Sequence, residues 1–226
     1  MLSNWYLNSI AIGLLGCVIY FFLKKRKLST PNWILLATLS MVLVLETIGF
    51  NTGRQKINNS FYYNIGFVHL ESLLLIAYFY FLAKPPTIKK SILQMTSVLI
   101  AWGVLVSVFF QDIQTTFQFF AFLPYVIFIL FLAIRLLNQL VKQQVFENIQ
   151  LVLVPHFWIG LLITLFYSVA IVVFGAYQFH PEFITTHSKV IFGFNRLLAG
   201  TMYLVFGFAF FIPLICSRPQ KSNSLI

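Results

Sequence analysis

Glu46, Glu71 and Arg196 are the residues of this chain best placed to do chemistry, because each sits inside a long apolar run. A charge at mid-bilayer costs about 2.5–3.5 kcal/mol even on lenient insertion scales, so such a group faces a bundle interior and finds a partner there. Its usual work is to bind an ion or ligand, relay a proton or hold helices together. At about 1.5 Å of rise per residue, depth along each run can be compared. Glu46 falls near one end of the second run. Asn64 enters the third run at a similar level, and Glu71 lies near mid-membrane seven residues later, on the same helix face as Asn64. Tyr167 and Ser168 of the sixth run and Asn195 with Arg196 of the seventh reach the same half. The expected binding cluster is therefore Glu46, Asn64, Glu71, Tyr167, Asn195 and Arg196, open toward the outside, with Arg196 pairing with Glu71 or Glu46. A hydrogen-bonded set that only ties helices together is the structural alternative.

Other chemistries find less support. His69 is two residues from Glu71 and points nearly opposite, so the two do not form a catalytic pair on one helix. His156, His69, His180 and His187 fall at different depths, which argues against a zinc site inside the membrane. His180, Glu182 and His187 remain as three potential ligands in one loop, the minimum for a catalytic zinc. No mid-helix lysine is available for a Schiff base, since the seventh run offers only Lys189 at its entrance. Cys17 lies within the first run and Cys216 at the far end of the last, a poor disulfide pair, and Cys216 is more readily an ordinary boundary thiol than a palmitoylation site. Asn58-Asn59-Ser60 fits the glycosylation pattern in a short loop. There is no Walker loop, nucleophile elbow or Rossmann glycine pattern. No catalytic residue, metal or cofactor is assigned.

The elements that must position these residues follow from composition. The chain has 226 residues, 60% hydrophobic and 9% charged, with 27 Phe and five acidic residues (Glu46, Glu71, Asp112, Glu147 and Glu182). Such scarcity of charge excludes a soluble enzyme, a disordered tail and a disulfide scaffold. Seven runs reach the roughly 20 apolar residues that cross a bilayer: 5–23, 32–50, 61–83, 91–110, 117–137, 151–174 and 189–215. They lack the alternation of a membrane barrel, so each is expected to be helical. The expected fold is all-α, a polytopic membrane protein forming one seven-helix domain over 1–226, with 216–226 as a short cytoplasmic tail. Pro124, Pro155 and Pro213 lie in or at the ends of spans, where neighbouring helices tolerate them.

The net charge of +10 is read through the same runs. Eleven of the fifteen basic residues (Lys24, Lys25, Arg26, Lys27, Lys84, Lys89, Lys90, Arg135, Lys142, Arg218 and Lys221) fall on one side of the runs, while Arg54, Lys56, Lys189 and Arg196 fall on the other. By the positive-inside rule the N-terminus lies outside and the C-terminus in the cytoplasm. The first run has no basic segment before it and continues unbroken past Leu14-Leu15-Gly16-Cys17, so it reads as a span and not as a cleaved signal. Lys24–Lys27 could hold anionic headgroups, but setting topology is the simpler role. Nucleic acid is not an expected partner, since no soluble surface carries these charges.

Several short stretches carry a resemblance: Leu45-Glu46-Thr47-Ile48-Gly49-Phe50, Asn58-Asn59-Ser60 leading into Tyr63-Asn64, and Glu71. Phe157-Trp158-Ile159 with Tyr167, and Asn195 with Tyr203, belong to the same pattern. Together they resemble a group of small seven-helix membrane proteins of Bacteroidota. The likeness covers most of the chain and implies fold and membrane location, with the bacterial inner membrane as the expected site. It transfers no activity and no catalytic residues. Arg196 is not a residue the group implies.

Three functions are ranked on these observations. The first is a sensory or signalling membrane module, in which a ligand in the polar cluster shifts helix packing. The tail after residue 215 is too short for an output domain, so a separate membrane-associated signalling protein is the expected partner beside the bilayer. The second is a small-solute or proton-coupled transporter using Glu71, although no internal repeat is visible. The third is an intramembrane lipid-modifying enzyme, which the scattered histidines disfavour.

Overall fold

A computed structural model of the chain describes residues 2–23, 29–147 and 150–216. The basic run Lys24–Lys27, Arg218 and Lys221 lie outside the described residues, as does the side chain of Cys216. Among the described residues the secondary structure is helical, with no strand. Seven helices among these residues are long and apolar enough to cross a membrane. They are α1 (Leu2–Leu23), α2 (Thr30–Arg54), α3 (Ser60–Leu82), α4 (Pro86–Phe109), α5 (Phe119–Glu147), α6 (Pro155–Phe179) and α7 (Ser188–Ile215). Their outer faces carry Leu15, Val98, Val108, Phe109 and Val172, each more than half exposed. So much uncovered apolar surface is stable only against lipid or a partner.

All seven expected spans are present, and their boundaries moved where proline chemistry decided them. The helices α4 and α6 begin at Pro86 and Pro155, where a missing N–H costs nothing and φ is already helical. That starts α4 five residues before the apolar run at 91 and delays α6, because Leu151–Leu153 makes a separate 3-10 turn. Pro124 lies within α5, and a proline there leaves the carbonyl four residues earlier without its helical donor. That carbonyl belongs to Phe120, and the indole Nε1–H of Trp102 in α4 donates to it at 2.8 Å.

Neighbouring helices pack in sequence order, and α7 returns to lie against α1, with further contact to α2. The α1–α7 crossing depends on glycine. A Cβ on Gly207 would overlap the backbone of Gly13, and one on Gly13 would overlap the Tyr203 carbonyl. Small residues give this backbone-to-backbone approach in lipid, where water does not drive helices together. The helix α3 is the most buried of the seven and α4 the least, so α3 forms the centre of the bundle and α4 its flank.

The middle of α3, Asn64–Glu71, is wound as a π-helix. Bonds from i to i+5 fit more residues into each turn than the uniform 100° of the α-helix. The segment carries Asn64, His69 and Glu71 and turns them toward different neighbours. Asn64 and Glu71 are both buried, whereas His69 is half-buried against α4 at Gly103.

Candidate functional site

Two carboxylates, each held by a pair of tyrosines, organise the half of the bundle where α1 begins. Glu46 lies eight residues from the end of α2, about 12 Å along the helix axis. Its Oε1 accepts from the Tyr6 hydroxyl of α1 at 3.2 Å and its Oε2 from the Tyr63 hydroxyl of α3 at 3.0 Å. Tyr63 comes this close because Gly49, three residues after Glu46 and on the same face, has no side chain. A Cβ there would overlap the Tyr63 hydroxyl. Deeper in, the Oε1 of Glu71 accepts from Tyr203 of α7 at 2.8 Å and from Tyr167 of α6 at 3.1 Å. Glu71, Tyr167 and Tyr203 are all completely or almost completely buried, and Glu71 Oε2 has no donor among the described residues. Each pair of hydroxyls thus ties three helices through one carboxyl group.

A cavity of about 190 Å³ lies over this arrangement. Its polar wall is Tyr6, Glu46, Tyr63, Asn195, Arg196 and Tyr203, and its apolar wall is Phe67, Phe117, Phe166, Phe174 and Phe192 with Ala199. Phe117 stacks on Phe174 with ring centroids 4.6 Å apart, and Phe67 lies 5.7 Å from Phe174, making a continuous aromatic side. A second cavity of about 300 Å³ shares Tyr6, Glu46, Tyr63 and Arg196 and reaches Asn59 and Gly53 at the helix ends, so it forms a vestibule. Below the first cavity the core is filled: Ile163 and Phe206, one turn beyond Tyr167 and Tyr203, and Tyr78 of α3 are fully buried.

The sequence-derived candidates fall into three groups. Glu46, Asn195 and Arg196 line the cavity. Glu71 and Tyr167 sit directly behind it, joined to its wall by Tyr203. Asn64 is directed elsewhere. Its side-chain amide donates to the carbonyls of Ile113 and Thr116 at 2.8 and 2.7 Å and accepts from the Gln118 N–H at 3.0 Å. It thereby clamps the connection that carries Phe117 to the cavity. His69 supports the same connection through Gln118 Oε1 at 3.3 Å, and Gln118 in turn donates to Ser107 at 2.9 Å.

The expected ion pair of Arg196 with Glu46 or Glu71 is not formed, since no N···O contact of 4.0 Å or less joins them. Tyrosine hydroxyls occupy both carboxylates instead. Arg196 is exposed on the cavity wall and acts on Glu46 and Tyr63 only through its Coulomb field. Beside it Asn195 is 8% exposed, and its Oδ1 is buried without a hydrogen-bond partner among the described residues.

Tyr6 was not among the sequence candidates, nor were Tyr63 and Tyr203 as carboxylate partners. Tyr203 was legible as i+8 from Asn195, and Gly49 as i+3 from Glu46, both same-face spacings. Tyr6 had no such signal. Of the loop residues, His180 leads into the short helix Pro181–Thr186 and His187 Nδ1 contacts the Phe183 carbonyl at 3.1 Å. No group of three His, Cys, Asp or Glu side chains able to hold a metal is found among the described residues. At the other half of the bundle, the Tyr78 hydroxyl and His156 Nδ1 are 2.7 Å apart. No family model, no curated protein and no solved structure matches the chain.

Proposed function

We propose that the protein is a sensory membrane module that binds a small molecule between α1, α2, α3, α6 and α7 and passes the effect to a separate signalling partner. The observation that carries this reading is a one-sided cavity, aromatic on one wall and polar on the other, above a filled core. A pocket with these walls is the usual form of a small-molecule site, and a floor of buried side chains suits a receptor better than a conduit. The helices whose tyrosines meet at Glu46 and Glu71 are the ones a ligand would touch, so occupancy can bias their packing. In this reading the N-terminus lies outside and the C-terminus in the cytoplasm of a bacterial inner membrane. The partner then meets the end bearing Lys84, Lys89, Lys90, Arg135 and Lys142.

The test is a thermal-shift screen of the full chain in mild detergent against metabolite-sized amines, acids and zwitterions. It is run in parallel on Ala199→Leu, which fills the cavity. Compounds that raise the melting temperature of the wild type and not of the variant support the reading. A screen in which no compound separates the two proteins removes it. C-terminal reporter fusions test the orientation: fluorescence of a C-terminal GFP fits it, and alkaline-phosphatase activity at the same position refutes it.

Proton-coupled solute movement is a second reading, favoured by one contact, the Tyr203 bridge from the cavity wall to Glu71 near mid-membrane. It requires uptake into proteoliposomes that Glu71→Gln abolishes.

A further inference from the structure

The cavity presents one negative group and one positive group that do not close on each other. Glu46 and Arg196 both line it, and no contact of 4.0 Å or less joins them. A polar wall whose opposite charges stay apart within the chain can take their complements from a ligand. Next to Arg196, Asn195 also lines the cavity, and its Oδ1 is a buried acceptor with no donor among the described residues. A buried acceptor left unpaired is costly, so turning the amide toward a ligand N–H is favourable. Glu46 and Asn195 together thus ask for a donor-rich cation, and a primary ammonium offers three N–H groups. Arg196, the other charge in the wall, asks for a carboxylate. A simple cation would leave Arg196 repelling it, and a simple anion would do the same with Glu46.

The remaining wall is aromatic, with Phe117 and Phe174 stacked and Phe67 beside them. At about 190 Å³ the cavity is smaller than the roughly 300–1,000 Å³ of drug-sized pockets, so its occupant is a small metabolite. From these features we infer that the site takes a small zwitterion with an apolar body, the chemical class of the free aromatic and large aliphatic α-amino acids. Its ammonium donates to the Glu46 carboxylate and Asn195 Oδ1, its carboxylate accepts from Arg196, and its side chain lies among the phenylalanines. This assignment rests on the reading of the cavity as a ligand site.

The experiment measures binding of three probes of one shape to the full chain in nanodiscs: L-phenylalanine, 3-phenylpropionate lacking the ammonium, and 2-phenylethylamine lacking the carboxylate. L-Phenylalanine is expected to bind saturably and at least tenfold more tightly than either analogue, because a site group left unpaired rejects the analogue that lacks its complement. Arg196→Met should erase the gap to 2-phenylethylamine. Asn195→Ala, which leaves the tyrosines on Glu46 untouched, should narrow the gap to 3-phenylpropionate. The inference is overturned if either analogue equals or exceeds L-phenylalanine on the wild type, a comparison that needs no variant to fold. If none of the three binds while other compounds in the metabolite screen do, the zwitterion assignment fails and the ligand site stands. If nothing binds in either experiment, both fail.

Discussion

Tyr203→Phe is the most direct probe of how the deep carboxylate holds the bundle. The substitution removes one hydroxyl, leaves the ring in its fully buried place and takes away the shorter of the two bonds to Glu71, at 2.8 Å. Hydrogen bonds to charged groups contribute about 1.5–3 kcal/mol. Side-chain hydrogen bonds between membrane helices average only about 0.6 kcal/mol, because the unfolded chain in lipid also finds partners. The two figures separate an ionised Glu71 held by tyrosines from ordinary interhelical polar contact. Both tyrosines donate to the same oxygen, Oε1, and Oε2 has no donor among the described residues. Tyr167→Phe should therefore cost slightly less than Tyr203→Phe, in keeping with its longer 3.1 Å bond. The double variant should cost more than the two single losses together, since it strips the buried carboxylate of its last donor. Thr164→Val is the control, as its hydroxyl bonds only the Gly160 carbonyl of its own helix. The assay is reversible unfolding in mixed micelles by SDS titration, followed by tryptophan fluorescence. Tyr203→Phe falling within error of the control, or a double variant no worse than the single ones, would refute the account of Glu71 as a three-helix tie.

Three further outcomes are expected. Gly207→Ala places a Cβ on the Gly13 backbone, so it should destabilise by about 1–3 kcal/mol as overpacking does, read as a lower melting temperature of the detergent-solubilised chain. Trp102→Phe strands the Phe120 carbonyl at a cost of about 1–2 kcal/mol, whereas in a Pro124→Ala background, where the helix supplies its own donor, the same change should be close to neutral in the same unfolding titration. In the connection between α4 and α5, the Gln114 N–H and the Thr115 hydroxyl donate to the Asp112 carboxylate and hold its pKa below the ordinary 3.8. A lowered carboxyl pKa means the turn is stabilised in full above that ordinary value and loses this support as pH falls through the lowered one. Carbon-detected NMR of the Asp112 carboxyl should show its midpoint below 3.8, and Thr115→Val should move that midpoint up.

Much of the architecture could be read along the chain, because a membrane span is a one-dimensional property. A run of about 20 apolar residues must be helical in lipid, whatever surrounds it. The same arithmetic gave the approximate depths of Glu46, Glu71 and Arg196, since rise per residue is constant. Glycines such as Gly49 and residues at i+7 or i+8, such as Tyr203 after Asn195, were visible in principle as same-face neighbours. Depth is a height, however, and a contact also needs a direction around the helix axis. That direction depends on which helices become neighbours and how closely they cross, and Tyr6 and Glu46 are separated by 40 positions and Tyr203 and Glu71 by 132.

Composition and spacing alone determined that this chain makes seven apolar helices, where each begins to within a few residues, and which scarce charges lie inside them. The tertiary structure decided the partners of those charges. The Gly13–Gly207 crossing brings α1 against α7, and Gly49 admits Tyr63, so hydroxyls reach carboxylates for which an arginine had been the expected mate. The π-turn of α3 breaks the constant angular step that any reading of helix faces assumes, and with it Asn64 leaves the cluster for the Ile113–Gln118 connection. Rise per residue belongs to the backbone and is written into the sequence; azimuth is set by packing, and it exists only once the neighbours are in place.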